Sequence, residues 1–196
     1  TINDAPDDAD KALLVKQAME AIERENPRMA GVLPKEVYGQ LVPEEEPELL
    51  SRIVRVFKDI PENISIDIFG QIYEYFLGNF ALAEGQGGGA FYTPASVVQY
   101  MVEVLRPVTG DKKFLDPACG SGSLLLNYAK ILGKDKVRQG FYGQEINITT
   151  YNLCRINMFL HDIDYDHFNI ACEDTLVSPQ HWDEEPFEAI VSNPPY

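Results

Sequence analysis

Cysteine is scarce: Cys119, Cys154 and Cys172 are the only three in 196 residues. Three scattered cysteines exclude a disulfide framework and a zinc ribbon, and they read as reduced core thiols of a cytoplasmic protein. No apolar run reaches the roughly eighteen residues needed to cross a bilayer. The first eight residues are acidic, so no secretory signal is expected. The three histidines, His161, His167 and His181, share no ligand spacing and are expected on the surface. Asp162-Ile163-Asp164-Tyr165-Asp166 leads to Glu173 with the spacing of a calcium loop. Its sixth position, which demands glycine, holds His167, so no metal site is expected.

Positive charge is missing where it would matter for one class of ligand. The net charge is −15, from 31 acids and 16 bases. Residues 1–50 hold 12 acids and 5 bases, residues 51–155 hold 10 and 11, and residues 156–196 hold 9 acids and no Lys or Arg. Contacts to phosphate dominate nucleic-acid affinity, and such a segment supplies them poorly. Either the chain does not bind nucleic acid, or the basic surface lies on a partner or on further sequence.

What is present is organised. Residues 11–25 carry apolar positions at helical spacing, ended by Asn26-Pro27. Residues 48–60 form a second amphipathic helix, stopped by Pro61. Residues 66–83 form a third, whose stripe of Ile68, Phe69, Ile72, Tyr73, Phe76, Leu77 and Phe80 is expected to pack into a core. Residues 85–89 read as a flexible glycine-rich linker. Thr93 is then expected to cap a helix with Pro94 in its first turn, followed by a buried face of Val97, Val98, Met101, Val102 and Leu105. A helix N-terminus favours a carboxylate.

From residue 114 strands alternate with helices. The expected strands are 114–115, 141–145, 168–171 and 189–192. Such alternation implies a parallel sheet. After the first strand, Asp116-Pro117-Ala118-Cys119-Gly120-Ser121-Gly122 forms a turn that opens an apolar helix ending near Gly133. Gly120 and Gly122 let the backbone bend sharply and approach a ligand. The third glycine of a dinucleotide fingerprint would fall at Leu125, so that fingerprint is excluded. Glu145 ends the second strand, where a carboxylate can accept from both hydroxyls of a ribose. Asp174 follows the third strand, and its alternative is the cap of a turn. The fourth strand runs into Asn193-Pro194-Pro195-Tyr196. Two prolines stiffen this corner and remove two donors. An amide oxygen, a carbonyl and an aromatic face then stand ready for an exocyclic amine on a planar ring.

Gly89-Ala90-Phe91-Tyr92-Thr93-Pro94, Asp116 to Gly122 and Asn193 to Tyr196, in that order, resemble the motifs of N6-adenine DNA methyltransferases of the γ arrangement. The helical segment ahead of them is most similar to the modification subunit of type I restriction-modification systems. The resemblance covers about residues 60–196 and implies a Rossmann-like α/β fold with S-adenosylmethionine as cofactor and no metal. It implies that Phe91, Tyr92, Thr93, Asp116, Pro117, Ala118, Gly120, Ser121, Gly122, Glu145 and Asp174 hold the cofactor. Asp116 would face its ammonium and Asp174 its adenine amine. Asn193, Pro194, Pro195 and Tyr196 would hold a flipped adenine. Implied partners are DNA, a specificity subunit and a restriction subunit in a hetero-oligomer, in the cytoplasm and away from membranes.

Three segments are expected: a helical part over 1–84, a linker and cofactor motif over 85–93, and the start of the methyltransferase domain over 94–196. A doubly wound sheet has more than four strands, so the chain is expected to be a fragment. Two other readings stay open. A protein glutamine methyltransferase shares the Asn-Pro-Pro-Tyr corner. A non-catalytic scaffold would use the helical segment to bind partners.

Overall fold

The computed structural model describes residues 10–35, 48–56, 66–84, 92–105, 113–133, 140–182 and 186–194, with residues 2 and 5. The expected linker over 85–89 lies outside the described residues, as do Phe91, Pro195 and Tyr196. The chain divides into two compact units, Thr1–Ile64 and Ser65–Tyr196.

In the first unit, α1 (Lys11–Glu25) starts where the Asp10 side chain accepts from the Leu13 N–H at 3.0 Å, satisfying one of the free donors of the first turn. It ends at Asn26, and Pro27 opens a short 3-10 helix, Pro27–Met29. Helix α2 (Leu49–Val56) begins as expected, and residues 57–60 lie outside the described residues. Met29, Val32 and Leu50 are buried.

The second unit opens with α3 (Ile66–Glu84) and α4 (Ala95–Val104). The expected helical segment over 1–84 is thus divided between the two units. Then follow β1 (Phe114–Asp116), α5 (Ser123–Leu132), β2 (Phe141–Glu145), α6 (Ile148–Leu160), β3 (Phe168–Cys172) and β4 (Ala189–Ile190). The sheet order is β3-β2-β1-β4 and every pairing is parallel. The chain steps outward from β1 through β2 to β3, then returns to lay β4 on the other flank of β1. The winding therefore reverses between β1 and β4. In open α/β sheets ligands bind at such a reversal, outside the carboxyl ends of the strands.

Phe114 and Phe141 are fully buried side by side, and Tyr128 of α5 lies 5.3 Å from Phe114 between ring centroids. Leu124, Leu125, Leu126, Cys154, Met158, Val98 and Val102 complete the core. Strand β4 is shorter than expected. Among the described residues, its last hydrogen bond to β1 is from the Val191 N–H to Leu115 O at 2.9 Å, next to the end of β1 at Asp116.

Three expectations are corrected. The α3 stripe is buried only at Leu77: Phe76 is 46% exposed and Phe80 63%. Helix α3 approaches its neighbours through small residues instead. A Cβ on Gly70 would stand 2.6 Å from the His161 ring, one on Gly78 would stand 3.2 Å from Tyr92 Oη, and Ala81 is buried. The His161 side chain is accordingly only 4% exposed, with Nε2 3.6 Å from Glu74 Oε1, rather than on the surface. Finally, Thr93 does not cap α4. Pro94 takes that place, its carbonyl accepting from the Val97 and Val98 N–H groups.

Candidate active site

The turn after β1 is held from both sides. Asp116 Oδ1 accepts from the Ala118 N–H at 3.1 Å, which folds the chain back on itself as Asp commonly does in turns. The Cys119 N–H donates to Gln144 O at 3.0 Å, and the Gly120 N–H donates to Glu145 Oε2 at 3.1 Å. Gly120 and Gly122 have φ of 53° and 84°, a region that side chains disfavour. At Gly122 a Cβ would also stand 2.8 Å from Cys154 Sγ, so glycine is required twice over. Asn157 of α6, fully buried, donates from Nδ2 to the Ser121 carbonyl at 3.0 Å. The Thr175 hydroxyl donates to the Pro117 carbonyl.

Two carboxylates meet at this turn. Glu145 is nearly buried, its Oε1 accepting from the Asn147 N–H at 2.8 Å while Oε2 takes Gly120. Asp116 is 1% exposed. Burial pushes its carboxyl up to about 7, the Glu145 charge adds to the rise, and the Ala118 N–H and Ser192 hydroxyl oppose it. Among the described residues, no cationic side chain pairs with either acid.

The segment after β3 is pinned by a side chain that sequence reasoning missed. Gln144, 2% exposed, donates from Nε2 to Glu173 O at 3.1 Å and to Ser178 O at 3.0 Å, and its Oε1 accepts from the Gln180 N–H at 3.0 Å. A His181 ring nitrogen lies 2.8 Å from Gly143 O. Asp174 sits in this pinned segment, half-buried, with Oδ1 accepting from the Leu176 N–H at 2.9 Å. A glutamine inside an apolar strand was the available signal, since a buried amide must find partners.

Across the winding reversal, the chain leaving β4 carries Ser192, which contacts Asp116, then Asn193 and Pro194. Asn193 Nδ2 donates to Thr93 Oγ1 at 3.3 Å, joining residues a hundred positions apart. Pro194 is exposed. Tyr92 is half-buried with its phenol over Gly78 of α3, where a Cβ would stand 3.2 Å from Oη. The structure thus gathers Asp116, Pro117, Ala118, Gly120, Ser121, Gly122 and Glu145 at the neighbouring carboxyl ends of β1 and β2, with Asp174 on the adjoining segment. It links Thr93 to Asn193. Phe91, Pro195 and Tyr196 are outside the described residues.

Residues 64–196 match the family described as N-6 DNA Methylase. The chain belongs to this family. Within it, the type I restriction enzyme MpnII methylase subunit of Mycoplasma pneumoniae is 46% identical over 160 residues, 76% of this chain and 29% of that protein. The HindI methylase subunit of Haemophilus influenzae is 36% identical over 200 residues, 93% of this chain and 43% of that protein. The fold is also that of a type I restriction-modification methyltransferase subunit from Streptococcus thermophilus. That match has a TM-score of 0.75 at 24% identity and covers 94% of this chain and 41% of the other. The chain therefore spans less than half the length of the methylase subunits it matches. Among the described residues, no helix is long and apolar enough to cross a membrane.

Proposed function

We propose that this chain carries the donor site and acceptor corner of an adenine-N6 DNA methyltransferase, as part of the methylase subunit of a type I restriction-modification system. One observation carries the reading. The glycine turn with its two acids and the Asn193-Pro194 corner meet at the carboxyl ends of β1 and β4, where the sheet reverses its winding.

The donor set fits S-adenosylmethionine. Asp116 and Glu145 are buried acids with no cationic side chain paired to them among the described residues, which suits a ligand bearing an ammonium and ribose hydroxyls. Asp116 would hold the ammonium and Glu145 the ribose. Gly120, Ser121 and Gly122 would let the backbone approach, with Pro117 and Ala118 shaping the turn. Asp174 would accept from the adenine amine, and Phe91 and Tyr92 would flank the amino-acid portion near the α4 N-terminus, with the Thr93 hydroxyl turned to Asn193. When bound, this cofactor supplies an electrophilic methyl on a sulfonium.

The acceptor side belongs to the chain itself. Asn193 Oδ1 and the Pro194 carbonyl would accept the two N6 hydrogens of a flipped adenine, turning the nitrogen lone pair toward the methyl. Tyr196 would stack on the base, a contact worth about 1–3 kcal/mol in general, and Pro195 would keep the corner stiff. Positioning and electrostatics then supply the rate.

The lack of Lys and Arg over 156–196 supports a division of labour. The grip on DNA phosphates would come from a specificity subunit, a restriction subunit or further methylase sequence, in a cytoplasmic hetero-oligomer. The family match favours this reading over a protein glutamine methyltransferase or a scaffold. The test is transfer of labelled methyl by the complete subunit with its partners. Label in N6-methyladenine of DNA supports the proposal. Label in protein glutamine, or none anywhere, overturns it.

A further inference from the structure

We infer that Thr93 is a positioning residue for the acceptor amide: its hydroxyl anchors Asn193 so that Oδ1 faces the incoming amine. This rests on the reading of Asn193 as the acceptor of the adenine N6 hydrogens. Asn193 Nδ2 donates to Thr93 Oγ1 at 3.3 Å, and among the described residues that is the amide's one side-chain hydrogen bond. A carboxamide has a donor end and an acceptor end. With the donor end engaged, the acceptor end is left for a ligand.

The anchor itself is held. Pro94, with φ of −54°, follows Thr93 as the N-cap of α4. Tyr92 precedes it and lies over Gly78 of α3, where a Cβ would stand 3.2 Å from its Oη. Thr93 is therefore fixed on both flanks and does not cap its own helix, so its hydroxyl is free to serve Asn193. A site held by locked neighbours loses little on ligand binding, and misplacing a reacting group by about 1 Å can lower the rate about 100-fold. Two motifs far apart in sequence would thus act as one device. The segment beside α4 would hold the amide that grips the base.

Thr93→Val keeps the shape and removes the hydroxyl. Thr93→Ser keeps the hydroxyl. Both are to be made in the complete subunit with its partners, measuring kcat at saturating donor and DNA together with donor affinity by calorimetry. Thr93→Val should lower kcat about 10- to 100-fold with the donor Kd within about three-fold, and Thr93→Ser should stay within about three-fold of the unsubstituted protein in both. If Thr93→Val raises the donor Kd and saturating donor restores kcat, Thr93 serves the donor and the inference falls. An unchanged kcat in Thr93→Val also overturns it, as does a kcat in Thr93→Ser as low as in Thr93→Val. Absence of adenine methylation by the unsubstituted protein would instead remove the proposed function on which the inference rests.

Discussion

Asp116→Asn should make the ligand-free protein more stable while weakening its hold on a cationic donor, and the gain should depend on pH in one direction. Burial raises the Asp116 carboxyl from 3.8 to about 7. Each pH unit of such a rise corresponds to roughly 1.4 kcal/mol, so at pH 8 the ionised form costs the folded state about 4 kcal/mol. The folded group binds its proton more tightly than the unfolded one. Its stabilising contribution is therefore complete below 3.8 and is lost as pH rises through about 7. An asparagine behaves as the uncharged form at every pH, and its oxygen can keep the Ala118 N–H. The gain from substitution should then be up to about 4 kcal/mol at pH 8 and about 2.5 kcal/mol less at pH 5. Any fixed cost of seating the new amide N–H cancels in that difference. Urea unfolding at the two pH values measures it, and calorimetry with S-adenosylmethionine at pH 8 measures the lost affinity. A gain equal at both pH values, or larger at pH 5, would refute the reasoning.

Gly122→Ala forces φ of +84° on a side chain and drives a methyl to 2.8 Å from Cys154 Sγ. It should cost about 2–4 kcal/mol by urea unfolding. Adding Cys154→Ala should restore only part of that, since the backbone strain remains. Gln144→Ala strips partners from Glu173 O, Ser178 O and the Gln180 N–H. It should cost about 2–3 kcal/mol and speed hydrogen exchange at Val177, Ser178 and Gln180.

Much of the sheet was legible because its signals are local. The run Phe141 to Glu145 opens on two aromatics, is short and ends in an acid, and it forms β2 with those bounds. The glycine turn was visible from residue types alone, and φ of 53° and 84° at Gly120 and Gly122 gives those glycines their reason. What stayed hidden depends on which neighbour a face meets. Helix α3 carries an aromatic stripe that suggests a core, yet its close approaches are made by Gly70 and Gly78, where small size matters more than hydrophobicity. His161 is buried because Gly70 leaves room for its ring, a relation across ninety-one positions. The Thr93–Asn193 bond is of the same kind: both residues stood out as motif members, but no periodicity links positions a hundred apart. Gln144 reads in the sequence as one more strand residue, although its three bonds pin the segment carrying Asp174.

The central claim is that donor site and acceptor corner are separate devices meeting at one sheet reversal. Asn193→Ala in the complete subunit with its partners tests it, with donor affinity measured by calorimetry and methyl transfer to adenine N6 by label. Donor Kd within about three-fold and transfer lowered at least about 100-fold is the predicted outcome, since the amide is asked to position the nitrogen and not to hold the donor. Equal loss of both, or retention of both, would contradict it.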